Sequence, residues 1–234
     1  MSLLDLIFPK RCVVCHEIGS YLCRKEKKKI RQASPFCPVC LKGAVGGTTH
    51  ERCKGKLSLD GLICLFDYSS PIKEIIHELK YRFVKDLVGT LEDGIKDAKI
   101  LNQIDFSTFT LVPIPLATGR KNWRGFNQAE ILGELITRRL KINSNPEILR
   151  KTKETKPQAK LPRKERLRQV SGTFRVTGNI SGQGFIVFDD VWTTGATIKA
   201  AAAALKRRGA VKVWGLALAS SHGVWRRGRD SNPR

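Results

Sequence analysis

Residues 185–200 read FIVFDDVWTTGATIKA, and they hold the residue types with the clearest chemistry in the chain. An unbroken apolar run ends in two adjacent carboxylates, Asp189 and Asp190. A short loop carrying Thr193, Thr194, Gly195, Ala196 and Thr197 then enters a helical stretch. Backbone N–H groups and the dipole at a helix start form a site for an anion. Small residues there let a phosphate approach the main chain, and three threonine hydroxyls add donors. Next to a phosphate so held, Asp189 and Asp190 can accept hydrogen bonds from vicinal ribose hydroxyls, directly or through Mg²⁺ and water. One capping side chain is enough to start a helix, so two acids followed by T-T-G-x-T exceed what capping requires. The segment is not a Walker loop, because no Gly-Lys-Ser/Thr follows a glycine-spaced loop. Nor is it a dinucleotide fingerprint, since Gly178, Gly182 and Gly184 have the wrong spacing and precede the strand.

The second group is the cysteines. Six of the seven lie within the first 53 residues, at Cys12, Cys15, Cys23, Cys37, Cys40 and Cys53. Cys12-x2-Cys15 and Cys37-x2-Cys40 are two knuckles whose spacing turns both thiolates toward one ion, and zinc takes four such donors in a tetrahedron. His50-x2-Cys53 supplies two further donors. The preferred partition is a double zinc ribbon, with one site from Cys37, Cys40, His50 and Cys53. The other site takes Cys12, Cys15 and Cys23 with Glu26 or water. Spacing equally allows Cys12 and Cys15 to share one site with Cys37 and Cys40. One or two zinc ions are expected in a structural role, because a closed tetrahedral site leaves no open position for chemistry.

These residues need elements to place them. Residues 1–56 are rich in Cys and Lys and poor in periodicity, which reads as a metal-held module. Residues 59–68 read as a strand. Pro71 opens a helix with Ile72, Ile75, Ile76 and Leu79 on one face, and a second helix is expected over 84–98. Residues 109–114 form a short strand ending in prolines. Residues 125–140 form a helix with Ala129, Leu132, Ile136 and Leu140 inward, and 147–150 a short strand. Residues 185–189 and 211–219 are buried strands around a helix over 195–208. Strands alternating with helices predict an α/β fold with a parallel sheet. The domain is expected to span 57–220, with 221–234 a disordered tail. Cys64 reads as core, and Trp123 and Trp192 as packing or base-stacking residues beside two loops.

Lys and Arg number 43 against 21 Asp and Glu. Residues 1–56 hold 12 basic and 4 acidic residues, and residues 138–168 hold 12 and 3. Such a field favours nucleic acid or phosphorylated ligands. The start, MSLLDLIFPKRC, does not read as a secretory signal, and no run approaches the roughly 18 apolar residues of a membrane helix. A cytoplasmic protein without membrane insertion is expected, where clustered cysteines point to metal.

The segment 185–200 resembles the signature of type I phosphoribosyltransferases. The stretch 112–129, VPIPLATGRKNWRGFNQA, the basic stretch 151–166, KTKETKPQAKLPRKER, and the Cys-rich start resemble the ComF family, a competence-linked branch. The resemblance extends to about Ser220. It implies a phosphoribosyltransferase-like parallel sheet flanked by helices, with an N-terminal zinc ribbon. It assigns the ribose to Asp189 and Asp190, the 5′-phosphate to residues 193–197, and the pyrophosphate to the loop with Arg120, Lys121 and Arg124. It also implies phosphoribosyl pyrophosphate or a nucleotide as ligand, Mg²⁺ on the pyrophosphate, single-stranded DNA and a competence or helicase protein as partners. If there is turnover, Asp189, Asp190 and Arg124 carry it. The alternatives are a nucleobase salvage transferase and a non-catalytic, ligand-sensing DNA-binding regulator.

Overall fold

The computed structural model describes residues 9–81, 87–116, 126–152 and 172–222. Its centre is strand β6, Gly184–Trp192, whose run of Phe185, Ile186, Val187 and Phe188 is fully buried. Successive side chains of a strand point to opposite faces. Phe185 and Val187 therefore enter one apolar cluster, and Ile186 and Phe188 enter the other. A strand buried on both sides needs cover on both sides. It lies in a five-stranded sheet of order β1-β7-β6-β2-β3, paired in parallel throughout. The other members are β1 (Gly61–Asp67), β2 (Phe109–Pro113), β3 (Asn143–Ser144) and β7 (Lys212–Ser220). The α/β architecture read from the sequence is present.

Helices α1 (Ile72–Tyr81), α2 (Leu87–Lys96) and α3 (Gln128–Leu140) cover one face. In α1 the buried residues are the expected Ile72, Ile75, Ile76 and Leu79, each contributing about 1.5–3 kcal/mol by leaving water. The second face is covered by α4 (Ala196–Arg207) and by a small antiparallel pair, β4 (Leu149–Lys151) with β5 (Phe174–Val176). The alanines of α4 serve close packing: Ala201 and Ala202 are buried against the sheet.

Three expectations shift. Strand β6 runs past Asp189 to Trp192, because β7 continues to pair with it through Val191↔Ala219 and Trp192↔Ser220. Helix α3 starts at Gln128 instead of residue 125, because the extended Asn127 caps it, its side chain accepting from Ala129 N at 3.1 Å. Residues 146–148 form a 3₁₀ turn before β4, set by Asn145 accepting from Glu147 N. Strands β3 and β5 are too short to show periodicity, and the sequence reading missed them.

The cysteine-rich segment is joined to the sheet. Residues 31–33 run along the free edge of β1, with Ala33 N donating to Leu65 O at 3.0 Å and Asp67 N to Arg31 O at 2.9 Å. Thr48 bridges to Gly61. This covers the row of backbone groups that an edge strand otherwise exposes. Cys12 and Leu22 enter the core on one face, and Phe36 enters the other. Gly47 makes the approach possible: it sits at φ 76°, and a Cβ there would lie 2.0 Å from Leu62 O. Gly47→Ala is expected to lower stability by about 2 kcal/mol or more, since no flexible side chain can yield. Urea denaturation of both proteins at matched metal content checks it.

Candidate ribose-phosphate site and metal centres

The carboxyl end of β6 delivers Asp189 and Asp190 to the end of the sheet where α/β proteins bind ligands. The backbone N–H of Asp190 donates to Asp189 Oδ1 at 2.9 Å, which fixes the first carboxylate along the strand. Asp190 Oδ2 lies 2.7 Å from Lys80 Nζ, which arrives from the last turn of α1 with a side chain only 25% exposed. Burial, and next the charge of Asp190, push the Asp189 carboxyl up to about 7, while Lys80 and the Asp190 N–H pull the other way. Burial works against the charge on Lys80, yet Asp190 outweighs it and holds the ammonium above its ordinary value. Tyr68 joins the group: burial raises its hydroxyl, with Lys80 opposing. Sequence reasoning missed Lys80 and Tyr68. A lysine in the last turn of a helix is ordinary pairing with the dipole, so only the fold shows its target.

After the acids the chain turns through Thr193 and Thr194 into α4. Gly195 occupies the cap position at φ 72° with no side-chain cap bond. A Cβ at Gly195 would stand 2.1 Å from the Trp192 ring. Only glycine lets the loop fold over that indole. The first N–H groups of α4 have no preceding turn to bond to; Ala196 N has only a long 3.4 Å contact with Thr194 Oγ1. Asp189, Thr193, Thr194, Gly195, Ala196 and Thr197 line one small recess. Six of the seven residues singled out in β6 and its loop are thus brought together, while the seventh, Asp190, pairs with Lys80. Arg120, Lys121, Trp123 and Arg124 lie outside the described residues, as does the basic stretch from 153 onward. Nearby, Asn127 Nδ2 donates to Ile114 O at 3.0 Å and Ile114 N to Phe188 O at 2.8 Å, tying the start of α3 to β2 and β6.

Trp192 packs into the interior. It is buried, its ring 6.2 Å from Phe36, which in turn packs on His222 at 4.6 Å. His222 Nε2 meets Leu41 O at 2.9 Å, and Ser221 N donates to Trp192 O at 3.1 Å. Two residues of the expected tail therefore rest against Trp192 and the cysteine segment; residues 223–234 lie outside the described residues. Cys64 is core, as expected, and burial pushes its thiol up.

The cysteines form two groups. Donor atoms of Cys37, Cys40, His50 and Cys53 lie within 4.8 Å of one another, as do those of Cys12, Cys15 and Cys23. The alternative of Cys12 and Cys15 sharing a site with Cys37 and Cys40 is overturned by this separation. The two knuckles repeat one geometry. Cys12 N donates to Glu17 O and His16 N to Cys12 O; Cys37 N donates to Lys42 O and Leu41 N to Cys37 O. His16 and Leu41 both take φ 62° to close the turn. Burial opposes ionisation of Cys12 and Cys37, but N–H groups of the knuckles outweigh it and bring each thiol down to about 7. Thiolates prepared in this way suit a metal ion. His50 Nδ1 is 3.3 Å from Cys40 Sγ, and its Nε2 meets Gly43 O at 3.1 Å, so the ring is oriented by a backbone carbonyl. The donor set fits zinc. Glu26 lies outside the three-cysteine group: its carboxylate is buried, with Oε1 on Lys29 at 2.7 Å and Oε2 without a hydrogen-bond partner.

Two outcomes follow from this geometry. The carboxyl of Asp189 is raised in the folded state, so the stability it contributes is present below about pH 4 and lost as pH rises through about 7. Asp189→Asn should therefore melt higher than wild type at pH 8, by about 1–3 kcal/mol of stability, with the gap clearly smaller at pH 5 and closing toward pH 4. Thermal melts at the two pH values check it. Removing metal from the Cys37 group should loosen Phe36 and the indole beneath the phosphate loop. Chelation is expected to red-shift tryptophan emission in wild type and to shift it much less in Trp192→Phe.

No family model matches the chain. Curated relatives do, among them these three. Competence protein F of Haemophilus influenzae is 28% identical over 231 residues, covering 91% of this chain and 98% of its own. DNA utilization protein YhgH of Escherichia coli K12 is 28% identical over 224 residues, covering 89% and 97%. Competence protein ComFC of Bacillus subtilis is 31% identical over 198 residues, covering 81% and 78%. Among solved structures, adenine phosphoribosyltransferase from Leishmania donovani aligns over 84% of this chain and 78% of its own at 12% identity and a TM-score of 0.36, too low to carry an argument. The identity to ComFC over four-fifths of the sequence places the chain in the ComF family.

Proposed function

We propose that this protein binds phosphoribosyl pyrophosphate, or a nucleotide with the same ribose 5-phosphate unit, and acts with single-stranded DNA in DNA uptake or utilization. The observation that carries the ligand reading is the recess in which Asp189 meets the uncapped start of α4, with Asp190 next to it on the strand and paired with Lys80. The DNA half draws on the names of the relatives, competence and DNA utilization proteins, and on the excess of 43 basic over 21 acidic residues.

In this reading the 5′-phosphate lies on the N–H groups and hydroxyls of residues 193–197, and the ribose hydroxyls donate to the acid pair. A carboxylate offers about four lone-pair sites, so Asp190 can hold Lys80 on Oδ2 and a hydroxyl on Oδ1. Lys80 keeps two neighbouring carboxylates from repelling an anionic ligand. Mg²⁺, when bound with the ligand, would neutralise the pyrophosphate. Arg120 and Arg124 are proposed as its cationic partners, their guanidinium groups suited to bidentate pairing. Zinc at the cysteine groups has a structural role, holding the segment that backs Trp192. Should turnover occur, positioning and charge stabilisation supply it.

Calorimetric titration of phosphoribosyl pyrophosphate with Mg²⁺ into zinc-loaded protein tests the reading. Saturable binding is expected in wild type and loss in Asp189→Ala/Asp190→Ala. Lys80→Met should weaken binding about tenfold near pH 7 and move the pH dependence upward, because Asp189 loses the nearby cation that favours its charged form. No heat from well-folded wild type rules the ligand out. Turnover with one of a panel of free bases would make the protein a salvage transferase instead.

A further inference from the structure

Helix α4 begins on the loop after β6 and ends at the opposite end of the strands, about 18 Å away at 1.5 Å per residue. There a cleft of ≈ 330 Å³ is lined by Phe174, Arg175, Val176, Ala204, Arg207 and Arg208. Arg207 closes the last turn of α4 and Arg208 caps it, while Arg175 comes from β5. All three are exposed, and among the described residues none is in an ion pair. Arg175 stands directly opposite Arg150 in the β4–β5 pair, a juxtaposition that destabilises strand pairing. Among the described residues Arg150 has an acid to offset it, Glu147 at 3.0 Å, and Arg175 has none. The floor, by contrast, is apolar: Phe174 and Val176 are largely buried, with Ala204 beside them. Three unpaired guanidinium groups around an apolar floor match a chain that alternates phosphates with flat apolar rings. The cleft has the volume of a small-ligand pocket, about 300 Å³ at the low end, which admits a single nucleotide unit and not a duplex.

We propose that this arginine cleft holds the backbone of single-stranded DNA, at the far end of α4 from the ribose-phosphate site, so that DNA and the small ligand bind together. The proposal rests on the DNA half of the proposed function and adds where the strand lies. It makes α4 a rod between two phosphate-binding ends, one built from N–H groups and the other from guanidinium groups.

The test is fluorescence anisotropy of a labelled oligothymidylate with the zinc-loaded full chain over a salt series. The variant is Arg175→Gln/Arg207→Gln/Arg208→Gln. The control, Lys96→Gln/Lys99→Gln/Arg138→Gln, removes as many charges from the opposite face and so reports the loss due to net charge alone. The cleft variant is expected to lose at least tenfold in affinity beyond the control. Its salt slope should fall by about 2, since each single-strand phosphate contact contributes about 0.7. Its heat of binding to phosphoribosyl pyrophosphate should equal that of wild type, and the small ligand should not displace DNA. Should the triple variant melt far below wild type, Arg207→Gln and Arg175→Gln alone carry the same comparison. Equal loss in cleft and control variants overturns the cleft while leaving DNA binding in place. Displacement of DNA by the small ligand, or equal competition by a duplex, also overturns it. Wild type that binds no oligonucleotide overturns both the cleft and the DNA half of the proposed function, and the calorimetric titration then judges the ligand half by itself.

Discussion

Strand β6 is buried on both faces along Phe185 to Phe188 and then emerges as two acids. Burial on both faces obliges the chain to place α1, α2 and α3 on one side and α4 with the β4–β5 pair on the other. Adjacent carboxylates at the end of such a strand are costly in charge, because burial and mutual repulsion both favour the neutral form. Lys80 at 2.7 Å from Asp190 reduces that cost, and it can do so only because α1 lies against the same face. The packing demand of one strand and the charge demand of its last residues are met by the same helix.

The loop after β6 depends on a second contact, one that joins the cysteine-rich segment to the sheet domain. Gly195 turns over the indole of Trp192, and Trp192 is backed by Phe36, the residue before the Cys37 knuckle. Residues 31–33 and 48 meanwhile pair with β1. The cysteine segment is therefore both an edge cover for the sheet and a support for the loop, which couples the two cysteine groups to the end of β6. Small cysteine-rich segments bury too little apolar surface to hold themselves. Here metal donors and the sheet edge share that task.

Much of the site was legible because its signals are local. A strand-to-helix turn carrying D-D-x-x-T-T-G-A-T brings its own residues together whatever surrounds it, and Cys-x2-Cys knuckles close through bonds within six residues. The inward faces of α1 and α3 were legible from period alone, since four or five apolar residues on one side of a helix have few other uses. Lys80, Tyr68 and the packing of Phe36 on Trp192 were not legible. Each is an encounter between residues more than a hundred positions apart, and each residue type has an ordinary local explanation. The arginine cleft was hidden in the same way, because Arg175 and Arg207 read singly as solvated charges.

By itself, then, the sequence determined the α/β alternation, the strand-to-helix turn with its acids and threonines, and the set of cysteines able to bind metal. Hydrophobic period, turn chemistry and ligand spacing act over a few residues, and those features need nothing more. Tertiary structure alone decided which cysteines group together, which cation faces the acid pair, and which surface gathers unpaired arginines at the far end of α4. Those outcomes follow from the order of strands in the sheet, which sets what lies beside β6 and is not encoded in any short stretch of residues.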